Sequence, residues 1–399
     1  MKNLILEREI TFFLGSLDRG GAQTVMLNLL SEFMRNGVRV TLLLTSNAGA
    51  LSSSVPDNVQ VIVLKKHTAF NTLICLLKLP VTDLFRTAKL MMCESPSLFK
   101  RLPSLVKYLE SSQPKNFMST LDVLNIMALI SKRIANVNTS MYVRQTTFHS
   151  RYIDQSSKYF DKYLLPELMR RWYHTADRVI ALTESMKKDL VDNVGITEYS
   201  ILTINNPIDI GKVKELSLEN LEDDWFNDGN VPIVLAVGRL DVLKGYSSLI
   251  DSIKLVNQVQ EVRLVILGEG IARRSLEIQI DKLMLKEVVM LPGEVKNPYK
   301  YMVKSDVFVL SSLCEGFPNV LLEALACGCN IVSTDCDSGP RDILVSGKYG
   351  RLVPVGDVKS LAKEITNALE NPMSKKDAIN KAYTYNLRKI AKEYLDVAC

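Results

Sequence analysis

The feature that most constrains the fold is a repeated alternation of short apolar segments with longer helix-like stretches. In the first half the β-rich segments are residues 10–14, 38–44, 59–64, 141–143, 179–182 and 201–204. In the second half they are residues 233–237, 263–267, 288–291, 307–310 and 330–333. Strands that alternate with helices are typical of parallel sheets covered by helices, so we predict two doubly wound α/β domains.

The domain boundary is predicted from length and from a turn. A chain of 399 residues is long for one core and fits two domains of roughly 200 residues each. At 204–210 the sequence INNPIDI ends a strand in turn-forming residues, and 211–231 is polar and acidic. We therefore predict domains at 1–207 and 208–380, with a C-terminal helix over 381–399 that returns to the first domain.

Composition indicates a cytoplasmic, globular protein. Apolar residues make up 47% and charged residues 23% of the chain, and no apolar run approaches the roughly 18 residues of a membrane span. Glu7, Arg8 and Glu9 interrupt the apolar N-terminus, which argues against a secretion signal. The seven cysteines include no CxxC pair, which favours free thiols over disulfides or a zinc site.

Two carboxylates stand in an unusually apolar stretch, LCEGFPNVLLEALACG at 313–328. The pattern predicts a helix that starts near Asn319 after Pro318 and is buried on all sides, with Glu323 as its only charge. A buried carboxylate must form an ion pair or face a ligand. Glu315 lies in the preceding loop and reaches the same crevice, while the helix start offers N–H groups to an anion. The alternative is that Glu323 pairs with a Lys or Arg and Glu315 caps the loop.

Two cations follow another strand, in VGRLDVLKG at 237–245. Arg239 and Lys244 stand beside Gly238 and Gly245, which let a backbone approach closely, so the loop is a candidate diphosphate site. Solvated surface charge is the alternative. Since ligands of open parallel sheets bind beyond the carboxyl ends of the strands, the cleft between the two domains is the expected site.

Together these motifs resemble the retaining glycosyltransferases of family 4, which have the GT-B fold of two Rossmann-like domains facing each other across a cleft. The resemblance is carried by the E-x7-E pair Glu315 and Glu323, by GRLDVLKG, by LGEG and by STDCDSGPRDIL at 333–344. The remainder agrees in layout, including GGAQTVMLNLL at 20–30 and the run at 176–185.

The resemblance implies a role for each matching residue. Arg239 and Lys244 would hold the diphosphate of a nucleotide sugar, Glu323 would accept the ribose hydroxyls and Glu315 those of the donor sugar. Further donor contacts would come from Gly238, Gly316, Phe317, Asn319, Val320, the Glu294–Val295 turn at the base, and Gly20 and Gly21, which would close over the phosphates. The 1–207 domain would bind the acceptor and the 208–380 domain the nucleotide sugar.

The implied reaction retains the anomeric configuration and needs neither cofactor nor metal. The leaving phosphate would take the acceptor's proton, while Arg239 and Lys244 stabilise its growing charge. Asp335-Cys336-Asp337 reads like a metal motif of another glycosyltransferase fold, but we interpret it as a loop. The following Ser338–Asp342 stretch departs from the family's Gly-rich turn, which bears on sugar selectivity.

The acceptor side is less defined by the sequence. The three histidines, His67, His149 and His174, are candidates, and Asp122 and Arg144, which follow strand-like runs, are our preferred residues. For each, a loop or core-edge role is the alternative.

The segment 65–115 carries the basic character of the chain, with nine Lys or Arg against three Asp or Glu. Charges interleaved with Leu, Ile, Phe and Met favour contact with an anionic membrane, where a polyprenyl-diphosphate-linked acceptor would lie. A helical cover for the first sheet is the alternative, and the missing aromatic platform argues against nucleic acid. The sequence thus predicts a transferase of surface-glycan synthesis that uses a donor such as a UDP-hexose or UDP-N-acetylhexosamine. A non-catalytic nucleotide-binding GT-B protein or a GT-B epimerase remains the alternative.

Overall fold

The computed structural model describes residues 8–18, 20–46, 48–85, 87, 96–150, 160–227 and 229–398. The chain divides into two compact units, one formed by Met1–Pro207 with Leu387–Cys399 and the other by Ile208–Asn386. The chain therefore passes from the first unit to the second within INNPIDI, at the predicted boundary after residue 207. It returns to the first unit after Asn386, a few residues beyond the predicted boundary at residue 380.

The first unit is built on a parallel sheet in the order β3-β2-β1-β4-β5-β6-β7. Its strands are β1 (Glu9–Leu14), β2 (Arg39–Leu44), β3 (Gln60–Val63), β4 (Asn116–Thr120), β5 (Ser140–Arg144), β6 (Arg178–Ala181) and β7 (Ile201–Thr203). Its helices before the crossing are α1 (Gly21–Arg35), α2 (Ala69–Leu76), α3 (Pro96–Phe99), α4 (Leu102–Ser112), α5 (Asp122–Ala135), α6 (Leu165–Trp172) and α7 (Glu184–Asp189). The strand order reverses between β1 and β4, the position at which open sheets bind ligands.

The second unit is built on a parallel sheet in the order β10-β9-β8-β11-β12-β13. Its strands are β8 (Ile233–Val237), β9 (Arg263–Leu267), β10 (Val289–Gly293), β11 (Val307–Leu310), β12 (Ile331–Thr334) and β13 (Arg351–Val353). Its helices are α8 (Ile210–Ser217), α9 (Asp224–Asn227), α10 (Tyr246–Val256), α11 (Arg273–Lys282), α12 (Tyr299–Met302), α13 (Asn319–Ala326), α14 (Pro340–Ile343), α15 (Val358–Glu370) and α16 (Lys375–Tyr383). Here the strand order reverses between β8 and β11.

Two strands were not predicted from the sequence. In β4 the segment NFMST is half polar, yet Phe117, Met118, Ser119 and Thr120 are all buried. The strand is central and covered on both faces, so its polar side chains make internal hydrogen bonds, such as that from Ser119 Oγ to Asn125 Oδ1 at 2.7 Å. At the opposite extreme, β13 is a three-residue edge strand, too short for a periodic pattern.

The chain's last helix, α17 (Leu387–Ala398), belongs to the first unit. Ile390, Ala391, Tyr394 and Leu395 form part of the same hydrophobic core as α1 and β1. Apolar residues recur every three or four positions along α17, which is the pattern of a helix that buries one face.

Arg144, at the end of β5, ties this helix to the sheet. Its side chain is completely buried. Its Nε donates to the Tyr394 hydroxyl at 2.9 Å and Nη1 to Thr120 Oγ1 at 3.3 Å, while Nη2 donates to Asn206 Oδ1. These buried contacts favour the structural alternative given for Arg144 in the sequence analysis. Its acceptor-side role stays a prediction.

We predict that Tyr394→Phe lowers the free energy of unfolding by roughly 1.5–3 kcal/mol, because it removes an acceptor from a buried cation. The measurement is the urea midpoint followed by circular dichroism, with Tyr383→Phe, a change at an exposed tyrosine, as the control. Equal midpoints for Tyr394→Phe and wild type would contradict the role given to this hydrogen bond.

Candidate functional site

The candidate site of the second unit lies where β8 and β11 run side by side at its strand reversal. Arg239 and Lys244 follow β8, and the loop with Glu315 follows β11. Because the two strands are parallel, both loops leave the same edge of the sheet. The sheet therefore brings together the cations and the carboxylate that are far apart in sequence.

The loop after β8 is hydrogen-bonded to the start of the loop after β11. Leu313 N–H donates to the Leu243 carbonyl at 2.8 Å, and Ser311 Oγ donates to the Lys244 carbonyl at 2.8 Å. Gly245 has φ of 63°, and a Cβ at this position would collide with the Ser311 carbonyl oxygen. Glycine is therefore required at 245 both for its conformation and for the close approach of the two loops.

Lys244 and Glu315 form an ion pair, with Nζ and Oε1 2.6 Å apart. Ser312 Oγ donates to the same carboxylate oxygen at 2.6 Å. The Lys244 and Glu315 side chains are only 23% and 11% exposed, so each limits the rotamers of the other. The arrangement holds an ammonium ready for phosphate and a carboxylate ready for hydroxyl groups at one place.

Arg239 has a different environment. Its side chain is 72% exposed, and Nη2 lies 3.5 Å from Asp241 Oδ2. At that distance and exposure the ion pair holds the guanidinium loosely. Arg239 can therefore turn toward an anionic ligand at little energetic cost, whereas Lys244 is already positioned.

Glu323 lies on α13. The prediction that this helix is buried on all sides is wrong. Leu321, Leu322, Ala324 and Leu325 are buried, but a stripe of half-buried residues follows the other face, at Asn319, Val320, Glu323, Ala326 and Cys327. The recurrence of this stripe every three or four residues is helical. Glu323 thus occupies the middle of a partly open face.

The partner of Glu323 is the hydroxyl of Tyr299, on α12, rather than a Lys or Arg. Burial raises the pKa of Glu323 to about 7, and the hydrogen bond from Tyr299 opposes this rise. The carboxyl group is therefore weakly solvated and accepts a hydrogen bond from Tyr299. Hydroxyl groups of a ligand would supply further donors to it.

The residues between the two glutamates join the site to the loop after β12. Ser338 Oγ donates to the Gly316 carbonyl at 2.7 Å, and the buried Phe317 ring packs edge-on against Tyr385, with centroids 6.1 Å apart. Pro318 supplies no side-chain hydrogen bond to the start of α13. The first turn of this helix, at Asn319 and Val320, therefore begins beside Glu315 without a side-chain N-cap.

Other predicted donor contacts lie farther along the sheet. Gly238 directly follows β8, whereas Glu294 and Val295 follow β10, two strands from β8. Glu294 is exposed. The base contact of this turn stays a prediction.

The sequence analysis missed the neighbouring pair Glu269 and Arg273, whose Oε2 and Nε are 2.9 Å apart. Their i, i+4 spacing is a sequence signal for such a pair.

Asp335, Cys336 and Asp337 form a loop. Asp335 accepts from Arg341 Nε at 3.1 Å, and Cys336 is buried. Among the described residues, no group of three or more His, Cys, Asp or Glu side chains is arranged to hold a metal ion.

In the first unit, Gly20–Gly21 and Asp122 flank the strand reversal between β1 and β4. Leu121, directly before Asp122, has φ of 77°, a conformation that costs a non-glycine residue energy and is concentrated at functional sites.

The histidines have local partners. His67 hydrogen-bonds to Ser104 Oγ and His174 to the Arg170 carbonyl, both at 2.9 Å. His149 is buried. The acceptor-side role of Asp122 stays a prediction, and its position favours it over the histidines.

Tyr299 and Tyr246 are the functional candidates that the sequence analysis did not single out. Burial raises the pKa of the Tyr246 hydroxyl, and Glu315 adds to this rise. No sequence motif indicates either tyrosine, because each lies on a helix separate from the segment that carries its glutamate.

The chain matches two protein-family models. The model described as Glycosyl transferases group 1 covers residues 219–385, and that described as Glycosyltransferase Family 4 covers residues 137–212. The first match contains the candidate site from Arg239 to Glu323.

Curated relatives carry glycosyltransferase names. One is the N-acetylgalactosamine-N,N'-diacetylbacillosaminyl-diphospho-undecaprenol 4-alpha-N-acetylgalactosaminyltransferase of Campylobacter jejuni, 33% identical over 68% of this chain and 72% of the relative. A second Campylobacter jejuni relative, a GalNAc-alpha-(1->4)-GalNAc-alpha-(1->3)-diNAcBac-PP-undecaprenol alpha-1,4-N-acetyl-D-galactosaminyltransferase, is 25% identical over 94% of this chain and 92% of the relative.

Solved structures share the fold. Anabaena HepE in complex with UDP and glucose superimposes with a TM-score of 0.75 at 19% identity, covering 98% of this chain and 99% of HepE. The lipopolysaccharide outer core galactosyltransferase WaaB superimposes with a TM-score of 0.68 at 17% identity, covering 98% of both chains. With its two doubly wound units and the E-x7-E pair at a strand reversal, the chain belongs to the GT-B glycosyltransferases of group 1 and family 4.

Proposed function

We propose that this glycosyltransferase moves a hexose or N-acetylhexosamine from a UDP-sugar to a lipid-linked glycan, with retention at the anomeric carbon and without a metal ion. The observation that carries the proposal is the Lys244–Glu315 ion pair at the β8–β11 strand reversal, with the exposed Arg239 in the same loop as Lys244. Two cations provide for a diphosphate what a divalent ion provides in other transferases.

The donor is assigned to the second unit. Lys244 and Arg239 hold the diphosphate, with the first turn of α13 beside them, and Glu323 accepts the ribose hydroxyls. Glu315 accepts hydroxyls of the donor sugar while Ser312 keeps its carboxylate in place. UDP is the proposed nucleotide because the fold matches HepE in complex with UDP over nearly the whole chain.

In the proposed reaction, the bond between the anomeric carbon and the diphosphate oxygen breaks, and the acceptor oxygen forms a bond to the same carbon from the same face. The acceptor's proton passes to the departing phosphate oxygen. Negative charge grows on that phosphate, where Lys244 and Arg239 stabilise it. Gly20–Gly21 and Asp122 of the first unit are proposed to contact the phosphates and the acceptor, respectively.

The acceptor is proposed from the relatives, whose printed names contain undecaprenol-linked glycans. Such a lipid lies in a membrane, so we place the reaction at the inner face of the cell membrane. In the described part of the chain, no helix has the length and hydropathy needed to cross a bilayer.

We predict that UDP, rather than GDP or ADP, raises the melting temperature of the wild type. Ligand at 100 times its Kd adds about 2.7 kcal/mol of stability. Glu323→Ala should lose most of this increase, while Glu370→Ala, a change at an exposed carboxylate, keeps it. Thermal shift assays measure the effect, and no response of the wild type to any nucleotide would favour the non-catalytic alternative.

Donor binding should also depend on pH through Glu323. Its pKa is raised to about 7, and ribose hydroxyls donate to the ionised form, so affinity should rise as the pH increases through 7. One pH unit below the pKa, affinity should be about tenfold weaker than at the plateau above it. UDP-glucose is the suitable ligand, since the terminal phosphate of UDP titrates near pH 6.

Titration calorimetry of wild type and Glu323→Gln between pH 6 and 8 tests this dependence. The glutamine variant cannot ionise and should show a flat profile. The same slope in both proteins would contradict the assignment of the titration to Glu323.

We predict that Glu315→Gln lowers kcat by about 10² or more, because the amide loses the charge that pairs with Lys244 and accepts sugar hydroxyls. UDP binding should remain largely intact, since the nucleotide is held by other residues. Steady-state transfer assays and calorimetry separate the two effects. Unchanged turnover would refute the role of Glu315.

A further inference from the structure

A helical part of the first unit exposes an apolar surface. It consists of α2 and of residues 81–85, which are also helical. One side of this segment is buried against the unit, at Thr72, Cys75, Leu76, Leu79 and Asp83. The opposite side, here called the outer stripe, is made of Phe70, Leu73, Ile74, Leu77, Val81 and Phe85, which are 69%, 48%, 48%, 60%, 68% and 72% exposed.

Within α2 and its C-cap, Phe70, Leu73, Ile74 and Leu77 have the three- or four-residue spacing of one helix face. Val81 and Phe85 repeat that spacing in the separate helical segment after Pro80. The outward face of a surface helix normally carries polar residues, and single exposed apolar residues are common. Six exposed apolar residues on two consecutive helical segments are more than the scattered apolar residues of an ordinary surface, which indicates a binding surface.

Positive charge surrounds the outer stripe. Lys65 and Lys66 precede α2, and Lys78 lies between α2 and the helical residues 81–85. All three lysines are exposed. Lys100 is adjacent, because its carbonyl accepts from the His67 N–H at 2.7 Å. Lys107 is exposed on α4, which packs against α2.

The acids described in this region are already paired. Asp83 is buried and accepts from Arg171 Nε at 2.7 Å, and Glu110 lies 3.5 Å from Lys78 Nζ. The surface around the outer stripe is therefore apolar along its row and cationic at its edges.

We propose that the outer stripe inserts into the headgroup region of an anionic lipid bilayer, with the surrounding lysines on the lipid phosphates. An amphipathic segment with an apolar row and a Lys-rich border is suited to this interface. A second copy of the chain is a poor occupant, since a twofold contact would bring the same cations together. The bilayer satisfies both the apolar row and the charge.

The test uses the full chain and vesicles of phosphatidylcholine, pure or mixed with phosphatidylglycerol. Wild type should float with the mixed vesicles and far less with pure phosphatidylcholine. Phe70→Ser combined with Leu77→Ser should weaken binding about tenfold or more, because two apolar side chains are lost. Leu218→Ser combined with Val259→Ser removes two even more exposed apolar residues of the second unit and should leave flotation unchanged.

Charge is tested separately by Lys65→Glu combined with Lys66→Glu. Each cation near an anionic surface contributes a few-fold to binding, so the double reversal should weaken it about tenfold or more at low salt. This difference should shrink as salt is added. A Phe70→Trp variant, whose indole emission should shift to the blue on vesicles, reports insertion directly.

Lipid binding is measured without donor or acceptor, and transfer with a water-soluble acceptor, so failure of either proposal leaves the other intact. Flotation of the Phe70–Leu77 double variant like wild type would overturn the proposal, as would absence of wild-type binding. A wild-type dimer in sedimentation that this variant cannot form would instead assign the outer stripe to a second copy.

Discussion

The parallel pairing of β8 with β11 is the constraint on which the candidate site depends. Strand order reverses there, so the helices after these strands diverge and leave an opening at the carboxyl edge of the sheet. Into this opening the chain places Lys244 from one loop and Glu315 from the other, joined at 2.6 Å. Gly245 lets the loops come this close, because a side chain there would collide with Ser311.

The two glutamates of the E-x7-E pair have different electrostatic environments. Glu315 is compensated by Lys244 and by Ser312, so its charge is stabilised before any ligand arrives. Glu323 has the neutral Tyr299 as its partner, and burial raises its pKa to about 7. A carboxylate with little solvation and no compensating cation gains most from ligand hydroxyls. This contrast supports separate roles for them, one near the reacting sugar and one at the ribose.

The first unit shows how similar residue patterns lead to different outcomes. Arg144 ends β5 and Asp122 comes shortly after β4, and both were predicted on the acceptor side. Arg144 is enclosed with Tyr394 and Thr120, whereas Asp122 follows the strained Leu121 at the strand reversal. The local sequence predicts the strand end in each case. It does not predict where α17 packs, because this helix begins more than two hundred residues after Arg144, which it covers.

Much of the architecture was determined by sequence alone, because alternating apolar strands and helices have few ways to bury their surfaces. The strands from β8 to β12, the start of α13 at Asn319 and the location of the candidate site at strand ends all follow from local patterns and short motifs. The half-polar β4 and the short β13 were not predicted from the sequence, since their burial comes from neighbouring strands. Only the tertiary structure decided which groups meet. The Lys244–Glu315 ion pair, the Tyr299–Glu323 hydrogen bond and the enclosure of Arg144 join residues distant along the chain, and such contacts depend on packing that no local periodicity encodes.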